Sequence, residues 1–340
     1  MAVGFDVQVV RSASEVKPDV WDQLGRGQPF ASQQWYCFCE ASLAAQPFHI
    51  LLRQRGELIA RATLWLMRRE QLPIQSRVGR AVVQGILQRW PLLACRTPLI
   101  DRSGLVLPPG PRYHDALATV AEAARRVGRQ SRASFVLFDY LDQALVWPAP
   151  YQQMQIGEPS TRLDIQWADF EQYTSQWTKS MRKDYHRHTN RANDLGIEIQ
   201  AHSQITHIQD ALPLIRQVER QHQAAPNLNA QRILEESQRV PHTWLTATIQ
   251  DRLVGCGLLL GDGDARMLTL LGLDYNIQFV YFQLLYAAVR AAIESGAKTL
   301  YGGSGANSFK ERLGFTLWHN NQIAVSANQW FFREVAKRLA

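Results

Sequence analysis

Thr243-Trp-Leu-Thr-Ala-Thr-Ile249, Gln250-Asp251-Arg252 and Leu253-Val-Gly-Cys-Gly-Leu-Leu-Leu260 read in succession as a strand, a tight turn and a second strand. Working outward, the turn Gly261-Asp262-Gly263-Asp264 leads into a third strand at Met267–Leu273. Apolar spacing from Phe279 to Ser295 then predicts a long helix stopped by Gly296, and Lys298–Tyr301 reads as a short strand. The first half has the same order. Phe48–Gln54 and Leu58–Leu66 flank the turn Arg55-Gly56-Glu57, Tyr113–Val127 has helical spacing up to Gly128, and Ser134–Phe138 reads as a strand. Glu57-Leu-Ile-Ala60 lies over Arg252-Leu-Val-Gly255, and Ala123-Ala-Arg-Arg-Val-Gly128 over Ala291-Ala-Ile-Glu-Ser-Gly296. A hairpin, a helix and a strand occurring twice in one order predict two related α/β domains in tandem. Trp147-Pro148, Pro150 and Pro159 punctuate the chain between them, so the domains are expected at 1–155 and 156–340. Residues 70–111 are less regular, with Pro73, Pro91, Pro98 and a Pro108-Pro109-Gly110-Pro111 stop.

Composition bounds the function. A chain of 340 residues exceeds what one core usually organises, and 46% hydrophobic with 20% charged residues excludes a disordered or fibrous protein. The most apolar stretch, Ile86–Ile100, is broken by Arg89 and Arg96, short of the roughly 18 residues a membrane span needs. The N-terminal residues lack a basic segment followed by an apolar core. Cysteines at 37, 39, 95 and 256 form neither a disulfide framework nor a CxxC pair, so a reduced, cytoplasmic chain is expected. The net charge is +7, with an excess of +6 in residues 1–155 (18 basic, 12 acidic) and +1 in 156–340 (19 and 18). That surface suits phosphates, acidic glycan precursors or RNA. With 31 Arg and six Lys, a lysine inside a motif is informative.

Two stretches could carry chemistry. In Lys179-Ser-Met-Arg182-Lys183-Asp-Tyr-His186-Arg187-His188-Thr-Asn190-Arg191, helical spacing puts Lys179, Arg182, Lys183, His186 and Asn190 within an arc of about 100°. Guanidinium forks and ammonium groups in a row suit a phosphate or polyanion; the plainer alternative is a solvated charged face. The second stretch is Tyr301-Gly-Gly-Ser-Gly-Ala-Asn-Ser-Phe-Lys-Glu-Arg-Leu-Gly-Phe315. Here a strand ends in a glycine-rich turn and a helix begins, with Ser304 or Asn307 as its cap and backbone amides open to an anionic oxygen. Tyr301, Gly303 and Ser304 become candidate binding residues, and Lys310 is close enough for its ammonium to reach the same space. The plainer alternative is a tight strand–helix connection.

Other chemistries fare poorly. A nucleophile elbow would need glycine at Ala306, and only Glu311, His319 and Glu334 follow Ser304 to complete a triad. His186 and His188 point to different helix faces, no HExxH occurs, and no metal is expected. No Rossmann or Walker glycine motif is present. Asp274 and Tyr275, after the third strand, could take or relay a proton, or simply form a turn.

Taken as an ordered set, these motifs resemble the tandem-GNAT acyltransferases related to the Fem peptidyltransferases and to the acetyltransferases of the cellulose-biosynthesis type. The resemblance rests on Phe30-Ala-Ser32-Gln-Gln-Trp35, on Lys179-Ser-Met-Arg182 through Gly196-Ile197, and on Phe309-Lys310-Glu-Arg-Leu-Gly314, and covers about residues 28–320. It implies an α/β fold of two GNAT-like domains, each a mixed sheet flanked by helices, with a cleft between them. It also implies acyl transfer, acetyl or aminoacyl, to an amine of a cell-envelope or polysaccharide precursor. By the same resemblance Arg182, with Lys179 and Lys183, anchors an anionic, amine-bearing acceptor, and Lys310 stabilises charge at the reacting carbonyl. The co-substrate is acyl-CoA or aminoacyl-tRNA, with tRNA a partner in the second case. Leu273-Asp-Tyr-Asn-Ile-Gln-Phe-Val280 lacks the glycine cradle with which CoA-dependent relatives hold a pyrophosphate. The rival class is a non-catalytic protein of this fold that binds RNA or an acidic polymer.

Overall fold

A computed structural model describes residues 4–70, 77–142, 146–155, 157–222 and 229–328. The chain gathers into two units, one from the residues up to Pro159 together with those from His319 onward, the other running from Ser160 to Trp318.

In the first unit, strands β1 (Asp6–Val10), β2 (Gln46–Gln54), β3 (Glu57–Met67), β4 (Leu92–Cys95), β5 (Leu105–Val106), β6 (Phe135–Leu141) and β7 (Gln152–Gln155) alternate with helices α1 (Pro18–Leu24), α2 (Gln33–Ser42), α3 (Arg77–Arg89) and α4 (Tyr113–Gln130). The expected hairpin is β2–β3, which turns through Arg55 (φ 51°) and Gly56 (φ 84°), the left-handed pair that matches the strands' own twist. Ser32 caps α2 by accepting from the Trp35 N–H, and Phe30 and Trp35 are wholly buried with their rings in edge contact. The Phe-x-Ser-x-x-Trp element is thus a helix entrance nailed into the core. Leu117, Val120, Ala121 and Ala124 of α4 pack with Ile50, Ala62, Leu93 and Val136 of the sheet. Pro73 lies outside the described residues; the rest of the irregular 70–111 stretch holds α3, β4 and β5.

The second unit contains β8 (Ser160–Asp164), α5 (Phe170–Ser175), α6 (Lys179–Asp194), β9 (Glu198–His202), α7 (Ile208–Gln221), α8 (Ala230–Glu236), β10 (His242–Ile249), β11 (Arg252–Asp262), β12 (Ala265–Leu273), α9 (Val280–Glu294), β13 (Thr299–Gly303), α10 (Asn307–Arg312) and β14 (Thr316–Trp318). Its sheet runs β14-β8-β13-β12-β11-β10-β9. The turn between β10 and β11 passes through Gln250 (φ 47°) and Asp251 (φ 62°), again the geometry a two-residue hairpin requires. Leu284, Leu285, Ala288, Val289 and Ala292 of α9 form the centre of its core.

The first sheet has the order β1-β2-β3-β4-β6-β15-β7, where β15 is Gln322–Ala327, with β5 on β3. This departs from the expected second domain of 156–340: after β14 the chain returns and inserts β15 between β6 and β7. Without it the β6 edge would present unpaired backbone groups. The described residues of the two units meet in sequence between Pro159 and Ser160 and again between Trp318 and His319.

Among the described residues each sheet contains a single parallel pair. In the first, Leu92–Cys95 pair with Phe135–Phe138; in the second, Ala265–Met267 pair with Thr299–Tyr301. Parallel neighbours need a helical crossover, which α4 and α9 supply. Mixed sheets flanked by helices, in two tandem units, are the architecture the sequence predicts.

Candidate active site

The parallel pair of the second unit sets the site. The pairing of β12 with β13 stops at Met267 and Tyr301, while β12 continues to Leu273. Among the described residues, no strand pairs with β12 on the side facing away from β11 from Leu268 onward. A strand edge without a strand partner can hydrogen-bond the amides of an extended ligand, and the carboxyl ends of parallel strands are where open α/β sheets bind. Within this stretch β12 bulges. Gly257 faces two residues, Leu270 and Leu271, and Leu270 takes φ 46°, a distortion that re-aims backbone groups. A side chain at Gly257 would crowd Leu268 and Leu271 at 3.1 and 3.3 Å.

From the end of β13 the chain enters the glycine-rich turn. Gly303 (φ 67°), Gly305 (φ 85°) and Ala306 (φ 51°) all take left-handed backbone, which explains the glycine density. Gly302 has a different reason: a Cβ there would stand 2.6 Å from Thr161 Oγ1. Thr161 on β8 donates its hydroxyl to the Gly303 carbonyl at 2.9 Å. Neither Ser304 nor Asn307 caps α10 as expected; the cap position falls on Ala306, which offers no side-chain acceptor. Ser304 is exposed, and Tyr301 is buried against the Trp318 ring.

Lys310 does reach the turn, from the inside. Its side chain is 4% exposed, and Nζ donates to the carbonyls of Gly302, Gly303 and Gly305 at 2.6, 3.2 and 2.8 Å. The expected ammonium aimed at a reacting carbonyl is therefore an ammonium embedded among backbone carbonyls. An ammonium has three N–H donors, and three acceptors surround this one.

The basic face of α6 forms as read. Thr178 caps the helix by accepting from Met181 N–H, and Lys179, Arg182, Lys183 and His186 are exposed. Arg182 directs Nη1 onto the carbonyls of Ser175 (3.1 Å) and Trp177 (2.6 Å), which fixes the guanidinium near the helix start. Beside it lies a cavity of about 400 Å³ whose lining includes Trp167, Tyr173, Trp177, Met181 and Arg312. Across α6, Asp184 accepts from Arg312 of α10 at 3.4 Å and tethers the two helices. His188 faces inward, stacked on Phe282 at 4.2 Å and 2.9 Å from the Tyr286 hydroxyl. Burial and the neighbouring Arg187 hold its imidazole below the ordinary histidine range, while burial raises Tyr286. Both are core groups.

Asp274 and Tyr275 form a turn, the alternative reading of that pair. Asp274 Oδ1 accepts from the backbone and side-chain amides of Asn276, and Oδ2 from Arg252 at 3.3 Å. Tyr275 is exposed, its hydroxyl 3.3 Å from His222 Nε2. The loop into α9 is closed on Asp274 and enters the helix through Phe279 at φ 72°. Sequence reasoning missed the bulge at Leu270 and the brace at Thr161; the Gly255-Cys-Gly257 pattern in β11 was the one local trace of the former. Among the described residues no group of three or more His, Cys, Asp or Glu gathers around a metal position, and no helix is long and apolar enough to cross a membrane. Glu334, weighed for a triad, lies outside the described residues.

A family profile, FemAB-like, described as peptidoglycan biosynthesis/recognition, matches residues 12–339. Among solved structures the chain is similar to FemX (10% identity, 96% of this chain and 99% of that one, TM-score 0.60). It is also similar to a tandem GNAT protein from the clavulanic acid biosynthesis pathway (11% identity, 95% and 99%, TM-score 0.55). A third likeness is to the C-terminal domain of a protein assigned as a lysylphosphatidylglycerol synthetase from Agrobacterium fabrum (10% identity, 96% and 96%, TM-score 0.52). At these identities the likenesses speak to the fold. No curated protein sequence matches the chain.

Proposed function

The chain belongs to the FemAB-like family, and on that premise we propose that it is an N-acyltransferase that moves an aminoacyl group onto an amine of a cell-envelope precursor. The observation that carries this reading is the parted parallel pair: the pairing of β12 ends at Met267 just where β13 turns into the braced Gly302–Gly305 segment. An extended acyl donor laid along β12 beyond that point brings its carbonyl to the turn. The acceptor's phosphate meets Lys179, Arg182 and Lys183, and its body enters the aromatic cavity beside Arg182.

In the reaction the acceptor nitrogen attacks the acyl carbonyl. A C–N bond forms, the ester C–O bond of an aminoacyl-tRNA breaks, and the proton lost by the nitrogen ends on the departing ribose oxygen as the tRNA hydroxyl. Aminoacyl-tRNA is favoured over acyl-CoA as donor because the loop before α9 has no glycine and its Asn276 and Ile277 amides already donate to Asp274.

Mass spectrometry decides the matter. The protein is incubated with charged tRNA or with acetyl-CoA, each with amine-bearing peptidoglycan precursors, and the acceptor is examined for a mass increase. An aminoacyl increment supports the proposal. An acetyl increment retains the class and overturns the donor. Salt-sensitive RNA binding with no product from either donor supports the non-catalytic alternative.

A further inference from the structure

The Gly302–Gly305 turn is built around a cation. Three of its carbonyls accept from one atom, Lys310 Nζ. Because a trans peptide holds C=O and N–H in opposite directions, the N–H groups of the residues that follow these carbonyls are turned away from the ammonium. Three carbonyl dipoles brought this close would otherwise repel one another. Thr161 adds a second bond to the Gly303 carbonyl from β8. To touch a transferred acyl group, the ammonium would have to abandon at least one of these charge-assisted bonds.

We propose that Lys310 is a positioning residue: its ammonium fixes the peptide dipoles of the Gly302–Gly305 turn, and it acts on acyl transfer through that backbone without contacting the reacting group. The inference rests on the transfer reading above for its kinetic half, while the cage itself stands on geometry alone.

Three variants and three readouts test it. Hydrogen–deuterium exchange is followed in Lys310→Met and Lys310→Arg, comparing peptides across residues 302–308 with peptides from β10 and β11. Exchange at the turn is expected to rise in Lys310→Met with β10 and β11 unchanged, and Lys310→Arg, a cation of the wrong shape for three converging carbonyls, is expected to rise less. Should Lys310→Met lose protection everywhere, the comparison is made on Lys310→Arg alone. In transfer assays kcat is expected to fall about 100-fold with KM little changed, the loss typical of a misplaced reacting geometry. Alkylammonium ions added to Lys310→Ala are expected to restore activity according to their size and independently of their pKa. Unchanged exchange at the turn, or rescue that strengthens as the amine becomes more acidic, overturns the proposal. A wild-type protein inert toward both donors sinks the transfer reading alone, and the exchange comparison still upholds or overturns the cage.

Discussion

His49 is wholly buried in the first unit, with Nε2 2.8 Å from Glu40 and Nδ1 3.0 Å from Thr63. Burial holds its pKa below the ordinary 6.5, although Glu40 pulls the other way. Burial alone would raise Glu40, but its hydrogen bonds from His49, Ser12 and the Ala13 N–H leave it below the usual carboxylate value. With both folded-state values depressed, the unfolded chain takes up protons first as pH falls, so stability declines from about pH 6.5 downward. Asp139 has the opposite sign. Burial pushes it up to about 6 despite Arg96 at 2.6 Å, so its contribution weakens as pH rises from about 4 to 6. Thermal melts across pH 4–8 are expected to lose acid sensitivity in His49→Gln and to gain relative stability near pH 6–7 in Asp139→Asn. At the turn, Thr161→Val removes the hydroxyl that meets the Gly303 carbonyl and is expected to cost about 1 kcal/mol by denaturant titration. None of these pairings is visible in sequence, because each joins residues from separate strands or helices whose register only the sheet determines.

Elements were more legible. Where a periodic pattern runs ten residues or more, as in α4 and α9, burial of one face decides the structure and the pattern announces it. Expected Phe279–Ser295 and observed Val280–Glu294 differ because Phe279 adopts a left-handed conformation ahead of the first helical residue. The β12 bulge was not legible, since two leucines opposite one glycine satisfy an alternating pattern as well as a regular ladder does. Lys310 illustrates the same limit: the sequence brings an ammonium near the glycines but does not tell which side of the turn it occupies. For α6, exposure of Lys179, Arg182 and Lys183 along one face predicts a graded effect on the acceptor. Arg182→Met is expected to raise acceptor KM by an amount corresponding to about 1.5–3 kcal/mol, the value of a hydrogen bond to a charged group. Lys179→Gln and Lys183→Gln are expected to do less, and the salt dependence of KM should flatten in both. Equal KM in all three variants would remove α6 from the acceptor site.

At the scale of the molecule, tandem repetition was readable because both units repeat hairpin, helix and strand in one order, with Glu57-Leu-Ile-Ala60 over Arg252-Leu-Val-Gly255 and Ala123–Gly128 over Ala291–Gly296. The point at which the chain leaves the second unit was not, because β15 is a six-residue strand whose partners lie about 180 residues earlier at β6 and β7. Short apolar runs carry no information about which sheet they join. This insertion makes a prediction that separates the units. Ending the chain before His319 removes β15, exposes the edges of β6 and β7, and takes the buried Ile323, Ala324 and Ala327 from the first unit's packing. The sheet and core of the second unit, formed by Ser160–Trp318, are untouched by that cut. Hydrogen exchange on the shortened chain is therefore expected to show lost protection in β4, β6 and α4, with β10, β11 and α9 still protected, and calorimetry to show one transition lowered and another retained. If protection fell equally in both sets of peptides, the two units would be one cooperative body, and the register of β15 would set the stability of both sheets.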